Sequence, residues 1–311
     1  MAERPHLPAP SPADDRQGGF GALDCSVLLM VNLMWGLNIV AAKIAVDGIS
    51  PIVAAFLRQA LVVLICLPWL KVVPGRMPLL IAFALASGAL YFVPMNIAVG
   101  MAHNMSAIAI SGQLGVPFAV ILGVLFLGER IHVPRIIGLV MSFGGVAMLS
   151  FDPRVVQDMP AVALNAFATL IWASGALFAR KLIGVPVRTL YAWSGLMGTL
   201  VLGAVAALFD RSALAAVPAA SPQIWAWIAF SAIGCSLLGH GSLSWMVQKH
   251  GVGAVMPYTL LSPVVSVILA SVMFGTPVTP MMMLGGMIVL GGVAIVTIRT
   301  ARRGILVEDP V

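Results

Sequence analysis

Residues 107–147 read AIAISGQLGVPFAVILGVLFLGERIHVPRIIGLVMSFGGVA, an apolar run, a Gly128-Glu129-Arg130 break and a second apolar run. Residues 254–294 repeat that plan 147 positions later as AVMPYTLLSPVVSVILASVMFGTPVTPMMMLGGMIVLGGVA. At this offset Ala107, Leu114, Val120, Ile121, Leu122, Gly128, Gly138, Gly144, Gly145, Val146 and Ala147 each meet an identical residue, and four of these eleven matches are glycines. Apolar segments coincide easily through composition, but glycines held in register mark places where the backbone turns or comes close to another backbone. The chain reads as a duplicated membrane protein.

Composition points the same way. The 311 residues are 60% hydrophobic and 9% charged, with a mean hydropathy of +1.05, more apolar surface than one soluble core can hide. Crossing about 30 Å of hydrocarbon takes about 20 mostly apolar residues. Ten such spans are expected, at 22–46, 51–70, 77–100, 104–127, 132–151, 160–183, 188–209, 222–248, 252–274 and 279–298. The fold class is therefore an all-α integral membrane protein.

The net charge of +6 is spread singly between spans, with no basic stripe and no interleaved aromatics, so it indicates topology rather than nucleic acid. With the N-terminus cytoplasmic, the inner side carries thirteen of the seventeen lysines and arginines, the outer loops only Arg154 and Arg211, and Lys43 and Arg58 fall within spans toward the outer end. Both termini are expected in the cytoplasm. Cys25, Cys66 and Cys235 all sit in apolar spans, odd in number and without metal-like spacing, so neither a disulfide framework nor a metal site follows. Residues 1–21 read as a disordered tail and 299–311 as a second tail. The apolar segment at 22 is too long for a cleaved signal and is expected to remain as the first span.

Trp35 to Lys43 has its own echo in Trp172 to Arg180, at an offset of 137. The ten-residue difference between the two offsets must fall between the sixth and ninth spans, and 210–222, polar and rich in Ala and Pro, is where a loop insertion would lie. Each repeat, 22–151 and 160–298, then holds five spans. Five is odd, so the second copy enters the membrane from the opposite side: two inverted five-helix repeats with a pseudo-two-fold axis in the membrane plane. That design suits a transporter that opens alternately to each side.

Gly138 with Gly145, and Gly285 with Gly292, lie seven residues apart and would let helices pack closely. Pro94, Pro117, Pro257 and Pro263 fall inside expected spans, where a proline frees a carbonyl and kinks or hinges the helix.

The two-halved, ten-span plan, the run from Pro117 through Phe126-Leu127-Gly128-Glu129-Arg130 and the sequence Ile137 to Ala147 resemble the EamA-type transporters of the drug/metabolite transporter superfamily. The second half departs from that pattern with Gly275-Thr276-Pro277 where the family often has Gly-Glu. Within the family, exporters of amino acids are the most similar. The resemblance implies a multi-pass protein of a bacterial cytoplasmic (inner) membrane, working as a monomer without cofactor, with the first, third, fourth, sixth, eighth and ninth spans lining a central cavity.

Polar and aromatic residues at depth in those spans are the candidate substrate contacts: Trp35, Asn38, Tyr91, Asn96, Gln113, Trp172, Ser174, His240, Ser244 and Tyr258. Buried amides and hydroxyls cannot face lipid, so each either bonds another helix or meets substrate. Trp35 with Asn38, and His240 with Ser244, share helix faces. Lys43 and Arg58 are expected near the pathway mouth, drawing carboxylates in, or snorkelling, or in the case of Arg58 pairing with Asp47. No acidic residue is mid-span, which disfavours a proton-coupled pump built on a buried carboxylate, and His240 is the one histidine inside a span. The leading expectation is export of small metabolites, amino acids first, by facilitated diffusion or exchange. A cationic-drug exporter is the alternative. An intramembrane hydrolase using Ser174 or Ser111 with His240 lacks an activating motif, and a substrate-free scaffold leaves the inverted repeat unexplained.

Overall fold

The computed structural model describes residues 20–128, 131–250 and 255–307, with side chains except at 248 and 298–307. Among the described residues ten helices are long and apolar enough to cross a membrane: α1 Ala22–Gly48, α2 Pro51–Trp69, α3 Met77–Met101, α4 Met105–Leu127, α5 Val133–Phe151, α6 Val156–Lys181, α7 Val187–Phe209, α8 Pro222–Val247, α9 Met256–Phe274 and α10 Pro280–Thr297. No strand occurs among the described residues. Glu129, both tails beyond residues 20 and 307, and 252–254 at the expected start of the ninth span lie outside the described residues.

Local chemistry sets the helix ends. The Ser50 hydroxyl accepts from the Val53 amide at 3.2 Å, with Pro51 in the first turn where its missing N–H costs nothing. The Asn104 side chain accepts from Ser106 and Ala107 at 3.1 and 3.3 Å and starts α4. Gly128 and Gly275, paired at the repeat offset, end α4 and α9 with φ of 66° and 65°, the left-handed cap that glycine adopts without strain. The 210–222 connection is not a bare loop: it carries a short helix, Arg211–Ala216, and a 3₁₀ turn, Val217–Ala219.

The internal prolines coincide with departures from α geometry about a turn earlier. Pro94 follows a π-helical segment, Ala86–Leu90; Pro117 follows a 3₁₀ turn, Gly112–Leu114; Pro263 follows one at Met256–Leu260. A proline cannot donate and clashes with the carbonyl four residues back, so the turn before it winds differently. Pro257 is the second residue of the 3₁₀ turn Met256–Leu260 that opens the described part of α9, and the residue four positions back, Gly253, lies outside the described residues.

Packing follows the exchange of one half for the other. The pairs α5–α10, α2–α7 and α4–α9 map onto themselves, while α1–α9 matches α6–α4, α3–α6 matches α8–α1, and α3–α7 matches α8–α2. The α5–α10 contact is backbone on backbone. A Cβ added to Gly145 would stand 2.6 Å from the Gly285 carbonyl oxygen, and one on Gly138 would stand 2.7 Å from that of Gly292. In lipid, where hydrophobic burial between helices has no driving force, such close approach supplies the attraction.

The two ends of the bundle are held differently. At the face bearing the α1–α2, α3–α4, α5–α6 and α9–α10 connections, the buried Asp158 carboxylate accepts from the amides of His103 and Asn104 at 2.8 and 3.0 Å. Asp152, also buried, accepts from the Thr279 hydroxyl and from the Arg154 amide. The segment between α5 and α6 thus ties three connections together over a core that includes Val46, Val53, Met105, Leu149, Val155 and Met282. At the opposite face Asp24 pairs with Lys249 at 2.6 Å and with His250 at 3.0 Å, joining α1 to the end of α8 above a small cluster of Leu28, Met246 and Val255.

The glycine contact gives the first expected outcome. Gly145→Val should cost about 1–3 kcal/mol through overpacking, read as a lower Tm of the purified protein in detergent. Gly144→Ala, where nothing stands within 4 Å of the added Cβ, should leave Tm near the parent value.

Candidate substrate-binding site

Two π-helical segments occupy corresponding places in the repeats, Ala86–Leu90 in α3 and Phe230–Gly239 in α8. Where the helix widens, backbone carbonyls lose their usual partners, and in a lipid-embedded bundle those must be bonded by something else. Side chains supply such bonds, from neighbouring helices and, in α8, also from the helix itself. In α3, the Gly88 carbonyl accepts from Gln59 Nε2 of α2 at 3.0 Å. In α8, the Cys235 carbonyl accepts from Trp35 Nε1 of α1 at 3.3 Å and from His240 Nδ1 at 2.9 Å. The first glycine after that turn, Gly239, lets the indole in: a Cβ there would lie 2.6 Å from Trp35 Nε1.

A polar chain runs on from this point. The Arg58 guanidinium donates through Nη2 to Ser236 Oγ at 2.9 Å, the Ser236 hydroxyl donates to the Ser231 carbonyl at 3.2 Å, and the Ser231 hydroxyl donates to Asn38 Oδ1 at 2.6 Å. Arg58 also lies over the Phe92 ring, 5.0 Å from its centroid. The Tyr91 ring packs edge-on against that of Phe92, 5.0 Å between centroids. The Trp35 and His240 rings are 4.8 Å apart, and the Tyr191 ring is 5.7 Å from that of His240. Arg58 Nε is buried and has no hydrogen-bond partner. Among the described residues no carboxylate pairs with Arg58.

The structure therefore brings Trp35, Asn38, Tyr91 and His240 to one cluster, fed by α1, α2, α3, α7 and α8. The other candidates stand apart. Asn96 donates to the Phe92 carbonyl at 2.8 Å and Ser174 to the Ile171 carbonyl at 2.6 Å, each a bond within its own helix. Gln113 lines an apolar groove between α4, α9 and α10. Trp172, 41% exposed, lies over Gly115 of α4, and Tyr258, 52% exposed, packs edge-on against Phe20. Ser244 is half-buried, on α8 one turn past His240.

The two cations expected at a mouth take different places. Lys43 pairs with Asp47 at 2.9 Å along α1, so its charge is already matched. Arg58 sits seven residues into α2, about 10 Å along a helix, and points into the bundle rather than at its rim. Sequence reasoning missed Tyr191, Gln59, Ser231 and Ser236. A charged residue within a span was the available signal for Arg58; nothing in the local sequence marked the other four.

A ten-helix bundle with a polar, aromatic cluster at its centre has the architecture of a membrane transporter of small molecules. Residues 24–151 and again 159–298 match the EamA-like transporter family, and the chain belongs to it. A protein of Escherichia coli (strain K12) named "Probable amino-acid metabolite efflux pump" is 25% identical over 287 residues, covering 88% of this chain and 94% of that protein. An "Uncharacterized transporter" of Archaeoglobus fulgidus is 26% identical over 277 residues, covering 87% and 97%. A solved crystal structure aligns with a TM-score of 0.60 at 17% identity, over 91% of this chain and 98% of that one, and shares the fold. Within the superfamily the chain resembles the aromatic amino acid exporter YddG. It is a transporter and not an enzyme, and Ser174 and Ser111 donate to carbonyls of their own helices.

The carbonyl bond in α3 is testable. Gln59→Leu removes the side-chain donor to the buried Gly88 carbonyl and should cost about 1–3 kcal/mol, seen as a lower Tm in detergent. An unchanged Tm would show that the π-helical segment does not depend on that bond.

Proposed function

We propose that the protein exports small amphipathic metabolites, amino acids first, by alternating access between its two five-helix halves. The observation that carries this reading is the central cluster, in which Trp35, His240 and Tyr191 offer aromatic faces beside the Arg58 cation and the bonded Asn38–Ser231 pair. Such a surface suits an apolar side chain joined to a polar head. The efflux-pump names of relatives support the same class. A cationic drug is the poorer ligand, since the cluster already holds a cation and no carboxylate to receive another.

In this reading the segment of Asp152 and Asp158 closes one face, and the Asp24–Lys249–His250 group holds the other. Alternation breaks one set of ties while the other forms, and requires only that the two states lie within a few kcal/mol. With no acidic residue inside the cluster, transport runs down the substrate gradient or by exchange, without obligatory proton or sodium coupling. The protein works in the bacterial inner membrane with both termini cytoplasmic, so the Asp152–Asp158 face is external.

Proteoliposomes loaded with unlabelled compounds test function and energetics together. Counterflow of labelled amino acids should exceed that of nucleosides, sugar phosphates and cationic dyes, with no pH or sodium gradient, and should persist at reduced rate in His240→Ala. Flux of dyes alone, or flux only under an imposed proton gradient, would overturn the proposal.

Topology is tested in a cysteine-free background, since Cys25 is exposed. Gln157→Cys and Lys181→Cys place single exposed thiols on opposite faces. On intact cells an impermeant maleimide should label the first and spare the second, and the reverse pattern would invert the assignment.

A further inference from the structure

Arg58 stands out among the charged groups. The described aspartates in ion pairs or capping bonds are all near helix ends: Asp24 with Lys249, Asp47 with Lys43, Asp158 with the His103 and Asn104 amides. Arg58 alone of the cations described here reaches into the centre, where one neutral hydroxyl and one aromatic face are its partners. A guanidinium held away from water without a counter-ion is costly, and a bundle that keeps one leaves a site in which an anion is stabilised. The ring of Phe92 occupies its face, Ser236 takes one Nη2 proton, and Nε is buried without a partner, so the residues around Arg58 leave part of its hydrogen-bonding capacity unused. The planar guanidinium fork is matched by a carboxylate, which accepts two parallel N–H bonds.

We propose that Arg58 is the anchor for the substrate's carboxylate, and that the site selects organic monocarboxylates by this anionic group, without a counterpart for an ammonium group. The inference rests on the transporter reading above and narrows it. The Trp35 and His240 rings, 4.8 Å apart, and the Tyr191 ring beside them take the apolar part of the ligand. Asn38, Ser231 and Ser236 are bonded to one another or to Arg58 and offer an ammonium no carboxylate. An amino group is therefore tolerated rather than required, and a deaminated acid binds as an amino acid does.

The test uses three probes that share one ring and chain: phenylalanine, 3-phenylpropionate and phenethylamine. In proteoliposomes of the full chain, phenylalanine and 3-phenylpropionate should each inhibit labelled phenylalanine counterflow at similar concentrations, while phenethylamine is weaker by about tenfold or more, the worth of a charge-assisted bond. The acid-to-amine ratio is internal to each variant and so is independent of how much protein folds. Arg58→Gln should bring that ratio close to one, and Arg58→Lys, which keeps the charge and loses the fork, should lower it without erasing it. Purified protein in detergent gives a second readout: the two acids should raise Tm, the amine should not, and Arg58→Gln should remove the acid effect.

Equal inhibition by amine and acid, or a ratio unmoved in Arg58→Gln, overturns the anchor, as does the absence of any Tm rise with the acids. The two levels of reading separate cleanly. Phenylalanine flux that ignores Arg58→Gln sinks the anchor and leaves the exporter; acid-selective Tm shifts lost in Arg58→Gln, with no flux of any compound, sink the exporter and leave the anchor.

Discussion

A helix in lipid must bond its own backbone, and this bundle departs from that rule where its centre lies. In the π-helical segments of α3 and α8 the helix widens, and side chains donate to its backbone carbonyls. Gln59, Trp35 and His240 are held where they are because they bond those carbonyls. The position of the aromatic cluster is thus a consequence of backbone chemistry: the indole and imidazole are fixed by the Cys235 carbonyl, and the adjacent Ser236 holds Arg58. The cluster and the fold share the same bonds.

Much of the architecture was legible beforehand, because hydropathy and repeat register are properties of long windows. The ten spans, the Gly128 and Gly275 caps and the close approach of Gly138 and Gly145 to the last helix all follow from composition and spacing. The π-helical segments were not legible, since helix widening depends on whether neighbouring side chains can reach the freed carbonyls. Arg58 was read as a rim residue from its nearness to Pro51, yet a seven-residue advance is about a third of the hydrocarbon thickness.

Sequence symmetry also overstated the likeness of Trp35 and Trp172. They match at the repeat offset, but Trp35 bonds a carbonyl of α8 while Trp172, 41% exposed, lies over Gly115. The family match covers both halves, and the packing pairs exchange as an inverted repeat requires. The environments nevertheless differ, as expected of a bundle in one conformation, tied by Asp152 and Asp158 at one face and by Asp24 at the other. Residues that correspond in sequence need not correspond in role within a single state.

The glycine contact between α5 and α10 bears on how such a bundle could be measured. Its spacing is set by main-chain atoms, with the Gly145 and Gly138 positions facing the Gly285 and Gly292 carbonyl oxygens directly. Side chains can change rotamer and let packed helices slide, but two backbones in contact have no such slack. The pair acts as a datum line through the molecule. Labels placed across α5 and α10 would report one separation whatever the cluster holds, so distances to the other helices can be referenced to it.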